Sequence, residues 1–414
     1  MFARLKLYYL IYLISLNVFA QNLGEITIYN TSNSGLTYNQ VNCLEFSDDS
    51  TLWVGTQNKL NILENSTDWW SVDANTTGSM LGSNIIKSLE WTESTSPPTM
   101  FIGTTNGITT TTLDSWDDNY GWSCDPNNGI INTLLYNDKL WAGSTDGLCV
   151  EGIGGEGEWL LKNTENGFYS NNITSIKNNN TNTSVAIGTM NGGLVIYEND
   201  FQIYYTSNSD ILDNTVLDVA FDQNNNIIIC TPQAGLGVLT ENGSWIWFNT
   251  INSTLPSNSL KNVIVDNNNN LWISTLEDGL IYYTNNSFYH YNTENSALPD
   301  DIINCLILGP ENNLWLGTDN SGLVKITAPN SSKNTSFDCQ TRVYPTIFNF
   351  NINIEILEKT KIQIYNEYGQ LVDHEQTLYA GLHTINTESY TKGIYILKLK
   401  TTDSQKSYKL IKHY

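Results

Sequence analysis

Short apolar stretches, separated by turns rich in Asp, Asn and Gly, run from about residue 25 to residue 328 and recur about every 43 residues. The recurring phrase is Leu-Trp-x-Gly-Thr. Clear copies are Leu52-Trp53-Val54-Gly55-Thr56, Leu140-Trp141-Ala142-Gly143-Ser144, Leu271-Trp272-Ile273-Ser274-Thr275 and Leu314-Trp315-Leu316-Gly317-Thr318. Weaker copies lie at 100–104, 185–189 and 227–231. Period-two alternation with this repeat length predicts four strands per unit, the pattern of a propeller blade.

A second series keeps the same register. Asn39, Asn84, Gly129, Asn171, Asn214, Asn258 and Asp301 each stand two residues before a β-branched residue or Leu that opens an apolar strand. Asn suits the tight turn that launches an inner strand and can bond the amide two residues on. A ring of such side chains also offers ligand-binding groups. The N-terminal stretch Glu25–Tyr29 precedes the first full unit, and no matching stretch follows the last. It is therefore expected to complete the final blade beside 322–327, leaving no unpaired edge at the seam. The expected fold is all-β: a seven-bladed β-propeller over 21–328 closed by the N-terminal strand, then a linker at 329–341 and a small β-sandwich at 342–414.

Charge divides the chain. Residues 21–328 hold 34 Asp and Glu against 7 Lys and no Arg, a net charge of −27, whereas 329–414 carry +2. Phosphate recognition rests on Lys and Arg, so a nucleic-acid partner is not expected. At the N-terminus, Arg4 and Lys6 precede an apolar run from Leu7 to Leu16 and the small residue Ala20. These are the parts of a secretory signal peptide over 1–20, and the run is short for a membrane span. No transmembrane helix is expected in the mature chain.

Candidate chemistry is sparse. The acidic turns Asp222–Asn226 and Asp266–Asn270 lack the carboxylate spacing of a calcium loop, so no metal and no cofactor are assigned. Cys43 and Cys305 hold equivalent places in their repeats, where strands of adjacent blades are usually too far apart for a disulfide, and buried thiols are expected. Most aromatics read as packing; Tyr38 and Trp116 read as loop residues able to stack on a sugar. His290 is the single His of 21–328 and sits in an aromatic strand, so no catalytic residue is assigned. Acid–base catalysis by paired carboxylates has candidates in Asp146, Glu277, Asp278 and Asp319, in the turns that follow the Leu-Trp strands. Those variable turns should share one face with the Asn ring. The candidate ligand site is therefore the channel mouth, contacted by Asn39, Asn171, Asn214, Asp301, Asp146, Glu277, Asp278 and Asp319.

Two resemblances follow from the motifs. Leu-Trp-x-Gly-Thr, the aromatic strand and Trp247-Phe248-Asn249-Thr250-Ile251-Asn252-Ser253-Thr254-Leu255-Pro256-Ser257-Asn258 resemble the two-component regulator propeller repeat, over about three quarters of the chain. That resemblance implies a propeller of the kind used as a periplasmic sensor region. With no kinase or DNA-binding region in the sequence, only the binding capacity carries over. Virginiamycin B lyases are also seven-bladed propellers, but their histidine set has no counterpart here. The tail, with Lys361–Val372, Gly393-Ile394-Tyr395 and Lys409-Leu410-Ile411-Lys412, resembles the type IX secretion sorting domain (type A); Tyr344-Pro345-Thr346-Ile347 stands where Tyr-Pro-Asn-Pro is usual. It implies engagement of the type IX machinery and delivery to the cell surface or medium. The expected function is an exported propeller that binds a glycan or a protein. The alternatives are a secreted glycan hydrolase or lyase, and a structural or adhesive surface protein.

Overall fold

The computed structural model describes residues 23–47, 51–78, 81–112, 116–117, 129–152, 159–327, 341–344, 347–348, 351–356, 359–366, 368–372, 376–379, 381–400 and 405–412. The segment expected to be a signal peptide, nearly all of the expected linker, Cys124 and Cys339 fall outside them. The chain divides into two compact units, 1–330 and 331–414.

The first unit contains seven four-stranded antiparallel sheets. Blades 1 to 6 begin with inner strands at Val41–Phe46, Ile86–Thr92, Ile131–Tyr136, Ile173–Asn178, Asp218–Phe221 and Leu260–Val265. Blade 7 begins at Ile303–Leu308, and its fourth strand is the N-terminal Glu25–Tyr29, paired with Leu323–Thr327 from Glu25↔Thr327 to Tyr29↔Leu323. The N-terminal strand thus fills the place that the repeat arithmetic assigns to it. Trp116 lies in a short outer strand, Trp116–Asp117, and not in a loop as its sequence context implied.

The repeated phrase has a separate task for each residue. Neighbouring residues of a strand face opposite sides of the sheet, so Leu and Trp serve different interfaces. Leu52 packs in the core between blades 7 and 1, while Trp53 packs in the core between blades 1 and 2. Leu140 and Trp141 divide in the same way between the 2–3 and 3–4 interfaces, and Leu314 and Trp315 between 6–7 and 7–1. The Gly that follows permits close approach. A Cβ on Gly55 would lie 2.7 Å from Ile86 of the next blade, and one on Gly317 would lie 2.6 Å from Val41 across the seam. The terminal Thr or Ser closes the turn: Thr56, Thr104, Ser144, Thr189, Thr231, Thr275 and Thr318 each donate a hydroxyl hydrogen bond to the carbonyl three or four residues on. The core is therefore a set of blade-to-blade layers, as in other repeat architectures.

That turn also demands an unusual backbone. Gly279 has φ +86, and a Cβ there would stand 2.4 Å from the Tyr291 carbonyl oxygen. Gly279→Ala is expected to cost about 2–3 kcal/mol, combining left-handed strain with the steric clash. Urea denaturation measures it, and a loss well under 1 kcal/mol would show that the turn can relax.

The second unit holds a three-stranded sheet, with Thr341–Tyr344, Asn351–Ile356 and Gly381–Asn386, and a five-stranded sheet centred on Thr360–Asn366, Gly393–Lys400 and Gln405–Lys412. Ile352, Ile354 and Ile385 of the first share one core with Ile362, Ile364, Leu397, Leu399 and Leu410 of the second. Two sheets enclosing one apolar layer form the expected sandwich.

Candidate functional site

Each inner strand enters the propeller from the ring position, and six of the seven share one irregularity. The ladder to the second strand shifts register immediately after Val41, Ile86, Ile131, Ile173, Leu260 and Ile303. The residues left out of the pairing are Asn42, Lys87, Asn132, Thr174, Lys261 and Asn304. A β-bulge of this kind re-aims a side chain, and all six line a central cavity of about 580 Å³. This volume lies within the range of small-ligand sites. Thr145, Met190 and Leu276, from the turns after the second strands, also line it. Those turns meet the ring positions directly: the Gly322 amide donates to the Asn39 carbonyl, Gly193 to Asn214, and Gly279 to Asp301. The Asn ring and the variable turns therefore share one face, and the bulged residues form the channel mouth on it.

Side chains just inside this mouth tie each blade to the next. Asn42 donates to the Ile86 carbonyl (2.8 Å), Ser88 to Ile131 (3.1 Å), Asn132 to Ile173 (2.9 Å) and Thr174 to Val216 (2.5 Å). Asp218 accepts from the Ser175 hydroxyl of blade 4 (2.6 Å) and from the Val263 amide of blade 6 (2.9 Å). Lys261 Nζ donates to Asn304 Oδ1 (2.8 Å), and Asn304 Nδ2 donates to the Val41 carbonyl across the seam (3.1 Å). Every adjacent pair of blades is linked in this way.

The wall is charged on both signs. Lys87, Lys177 and Lys261 line it, together with Glu45, Glu90 and Asp218. Burial pushes the Glu90 carboxyl up to about 7, against the hydrogen bond from the Tyr136 amide and the nearby Lys177. Burial, and then the Glu90 charge, hold Glu45 well above the usual carboxylate range, opposed by Lys177. Burial also raises Asp218, offset by Lys177 and by its three hydrogen-bond donors. Burial lowers Lys261, with the Lys87 charge acting the same way against Cys305 and Asp319. Cys43 and Cys305 are free thiols raised by burial, Cys305 to about 12, so they stay protonated. Cys230 is also a free buried thiol, whereas Cys149 is disulfide-bonded.

The residues singled out from sequence are distributed differently. The oxygens of the ring side chains are engaged within their own loops: Asn39 accepts from the Thr31 amide, Asn171 from Thr164, Asn214 from Thr206, and Asp301 from both the amide and the hydroxyl of Thr293. Asp146, Glu277 and Asp278 are exposed on the turn tips. The Asp278 carbonyl meets the His290 ring. Asp319 alone of the eight joins the bulged residues, accepting from Gln40 Nε2 (2.8 Å) and from Asn304 Nδ2 (3.4 Å). Tyr38 is exposed on the same face. Asp222 and Asp266 bond the amides and side chains of their own turns. The channel carboxyls and lysines escaped the sequence reading. For Lys87 and Lys261 the signal was the position three residues after each ring residue, polar in six of seven repeats at the start of an otherwise apolar strand, while Glu45, Glu90 and Lys177 stand six residues after their ring residues.

Comparison with known proteins separates the two units. Residues 297–320 match the two-component regulator propeller model. Residues 342–413 match the secretion system C-terminal sorting domain. Such a domain indicates export to the cell surface or the extracellular space, and interaction with the secretion machinery. Among solved structures, the extracellular domain assigned to a hybrid two-component system of Bacteroides thetaiotaomicron is similar at TM-score 0.61 and 16% identity, over 94% of this chain and 57% of that one. PorZ, a surface component of the type-IX secretion system of Porphyromonas gingivalis, is similar at TM-score 0.55 and 14% identity, over 93% of this chain and 61% of that one. This chain thus spans about three fifths of the length of both. The WD40 propeller domain of Doa1 is similar at TM-score 0.55 and 14% identity, over 75% of this chain and 98% of that one. These likenesses establish the propeller fold. No match was found among curated proteins.

Proposed function

We propose that the protein is an exported surface propeller whose channel, entered from the turn face, binds a short glycan or peptide segment. The observation that carries this reading is the bulge repeated at one position of six inner strands, which aims polar and charged side chains into a cavity of about 580 Å³. Bonds between blades account for Asn42, Asn132, Thr174 and Asn304, but not for Lys87 and Lys177, whose charge is costly to bury without a partner. The turn tips around the mouth, including Asp146, Glu277, Asp278 and Asp319, are the variable part of a constant frame and supply additional contacts.

Thermal-shift titration of the full chain against neutral oligosaccharides and short peptides tests this. A ligand is expected to raise the melting temperature with the logarithm of its concentration. Replacing Asp146, Glu277 and Asp319 together by Ala is expected to weaken that ligand several-fold with little loss of stability. Unchanged binding would remove the turn tips from the site.

A second reading, hydrolysis of a glycan, draws on Glu45 and Glu90, two electrostatically coupled carboxyls on neighbouring blades that face the same channel. A carboxyl held near 7 is poised to give or take a proton at neutral pH. Turnover of a glycan panel that is lost in Glu90→Gln would favour this reading over binding alone.

A further inference from the structure

The propeller surface is strongly acidic, yet three of its seven lysines lie in the channel. Two of them, Lys87 and Lys261, occupy the bulged position that Asn or Thr fills in blades 1, 3, 4 and 7. In those four blades the side chain is committed to the carbonyl of the next inner strand. The lysines break that rule. In blade 2 the neighbouring Ser88 makes the inter-blade bond instead, and among the described residues no hydrogen bond or ion pair engages the Lys87 ammonium. Lys261 makes one hydrogen bond, to Asn304. The two ammoniums are close enough for Lys87 to oppose the protonation of Lys261.

Two like charges directed into one confined mouth repel each other unless an anion lies between them. Among the described residues no acidic group forms an ion pair with either lysine, although the Asp319 charge favours the Lys261 ammonium. Asp319 is turned to the amides of Gln40 and Asn304. Asp218 is held by Ser175, Val219 and Val263. Glu45 and Glu90 lie three residues further along their strands, share the nearby Lys177, and are driven by burial toward their neutral forms.

We propose that the turn-face mouth of the channel is a site for a small carboxylate-bearing ligand, whose anionic group is held by Lys87 and Lys261. This rests on the reading of the channel as the binding site and gives its ligand a chemical class, an acidic sugar or another compact carboxylate. The acidic exterior does not forbid it, because repulsion between an incoming anion and exposed charges more than about 8 Å away is largely screened at physiological salt, while the nearer turn-tip carboxylates are left to meet the ligand's hydroxyl groups.

Calorimetric titration of the full chain with glucuronate and with glucose, which differ by the carboxylate, tests the proposal. Saturable binding of glucuronate and none of glucose is expected. Lys87→Gln should weaken glucuronate about tenfold or more at an unchanged melting temperature, as expected for a lost charge-assisted bond, and Lys87→Arg should retain binding. Equal binding of the two sugars, or wild-type glucuronate affinity in both Lys87→Gln and Lys261→Gln, overturns the proposal. If only neutral sugars bind, and Asn132→Trp in the channel wall abolishes that binding, the channel reading stands and the anion assignment falls. If neither sugar binds, the anion assignment falls, and if the neutral oligosaccharides and peptides also give no shift, the channel reading falls with it.

Discussion

Glu90→Gln is expected to stabilise the protein by about 3 kcal/mol at pH 8.5 and to leave it nearly unchanged at pH 4. A carboxyl held at about 7 in the folded protein, against an ordinary value of 4.5, is bound to its proton more tightly when folded than when unfolded. Its contribution is therefore intact below about pH 4.5, is lost as pH rises from there through about 7, and is fully lost above, at about 1.4 kcal/mol per pH unit of that window. Gln keeps an oxygen to accept from the Tyr136 amide, 2.9 Å away in the wild type, and carries no charge to desolvate. It also removes one of the charges that raise Glu45. Urea denaturation at both pH values measures the effect. Parallel pH profiles for variant and wild type would mean that Glu90 ionises freely and that the channel is wetter than its lining implies.

Asp218→Ala is the substitution expected to cost most along the channel wall, about 3 kcal/mol. Asp218 Oδ1 accepts from the Ser175 hydroxyl and the Val219 amide, and Oδ2 accepts from the Val263 amide, so one side chain joins blades 4, 5 and 6. Truncation leaves three buried donors without this acceptor, and an unsatisfied buried donor costs more than the net gain from a made bond. Asp218→Asn keeps the shape but replaces one accepting oxygen by a donor, so it should fall between wild type and Ala. The urea midpoint should drop with little change in the slope. A loss under 1 kcal/mol would show that the Leu and Trp layers alone hold blades 4 to 6 in place.

Much of the architecture was legible because its causes are local. Leu52 and Trp53 are adjacent, so strand geometry sends them to opposite faces, and a repeat about 43 residues long places the same pair on each blade. The unmatched strand Glu25–Tyr29 identified its partner by elimination, and Leu323–Thr327 does pair with it. The ring positions were legible as turns as well: Asn39, Asn214 and Asp301 clasp the amide of a Thr eight residues upstream. Their engagement inside those loops was not visible, because a sequence shows a donor or acceptor but not what it meets.

The chain's own order of residues thus determined the strand pattern, the number of blades, the strand that completes the last one, and the sorting character of the tail, since each follows from short-range periodicity or from a contiguous motif. Only the tertiary structure decided what the channel is. Lys87, Lys177 and Lys261 are about 90 residues apart in sequence and meet because the blades are arranged around one axis. The bulges that re-aim Asn42 and its equivalents are a register shift between two strands, which no single strand encodes. The raised carboxyls of Glu45 and Glu90 follow from burial, a property of the assembled wall. Charge counting over 21–328 describes an acidic protein; the channel, where burial raises carboxyls and also disfavours the Lys261 charge, is electrostatically a different place.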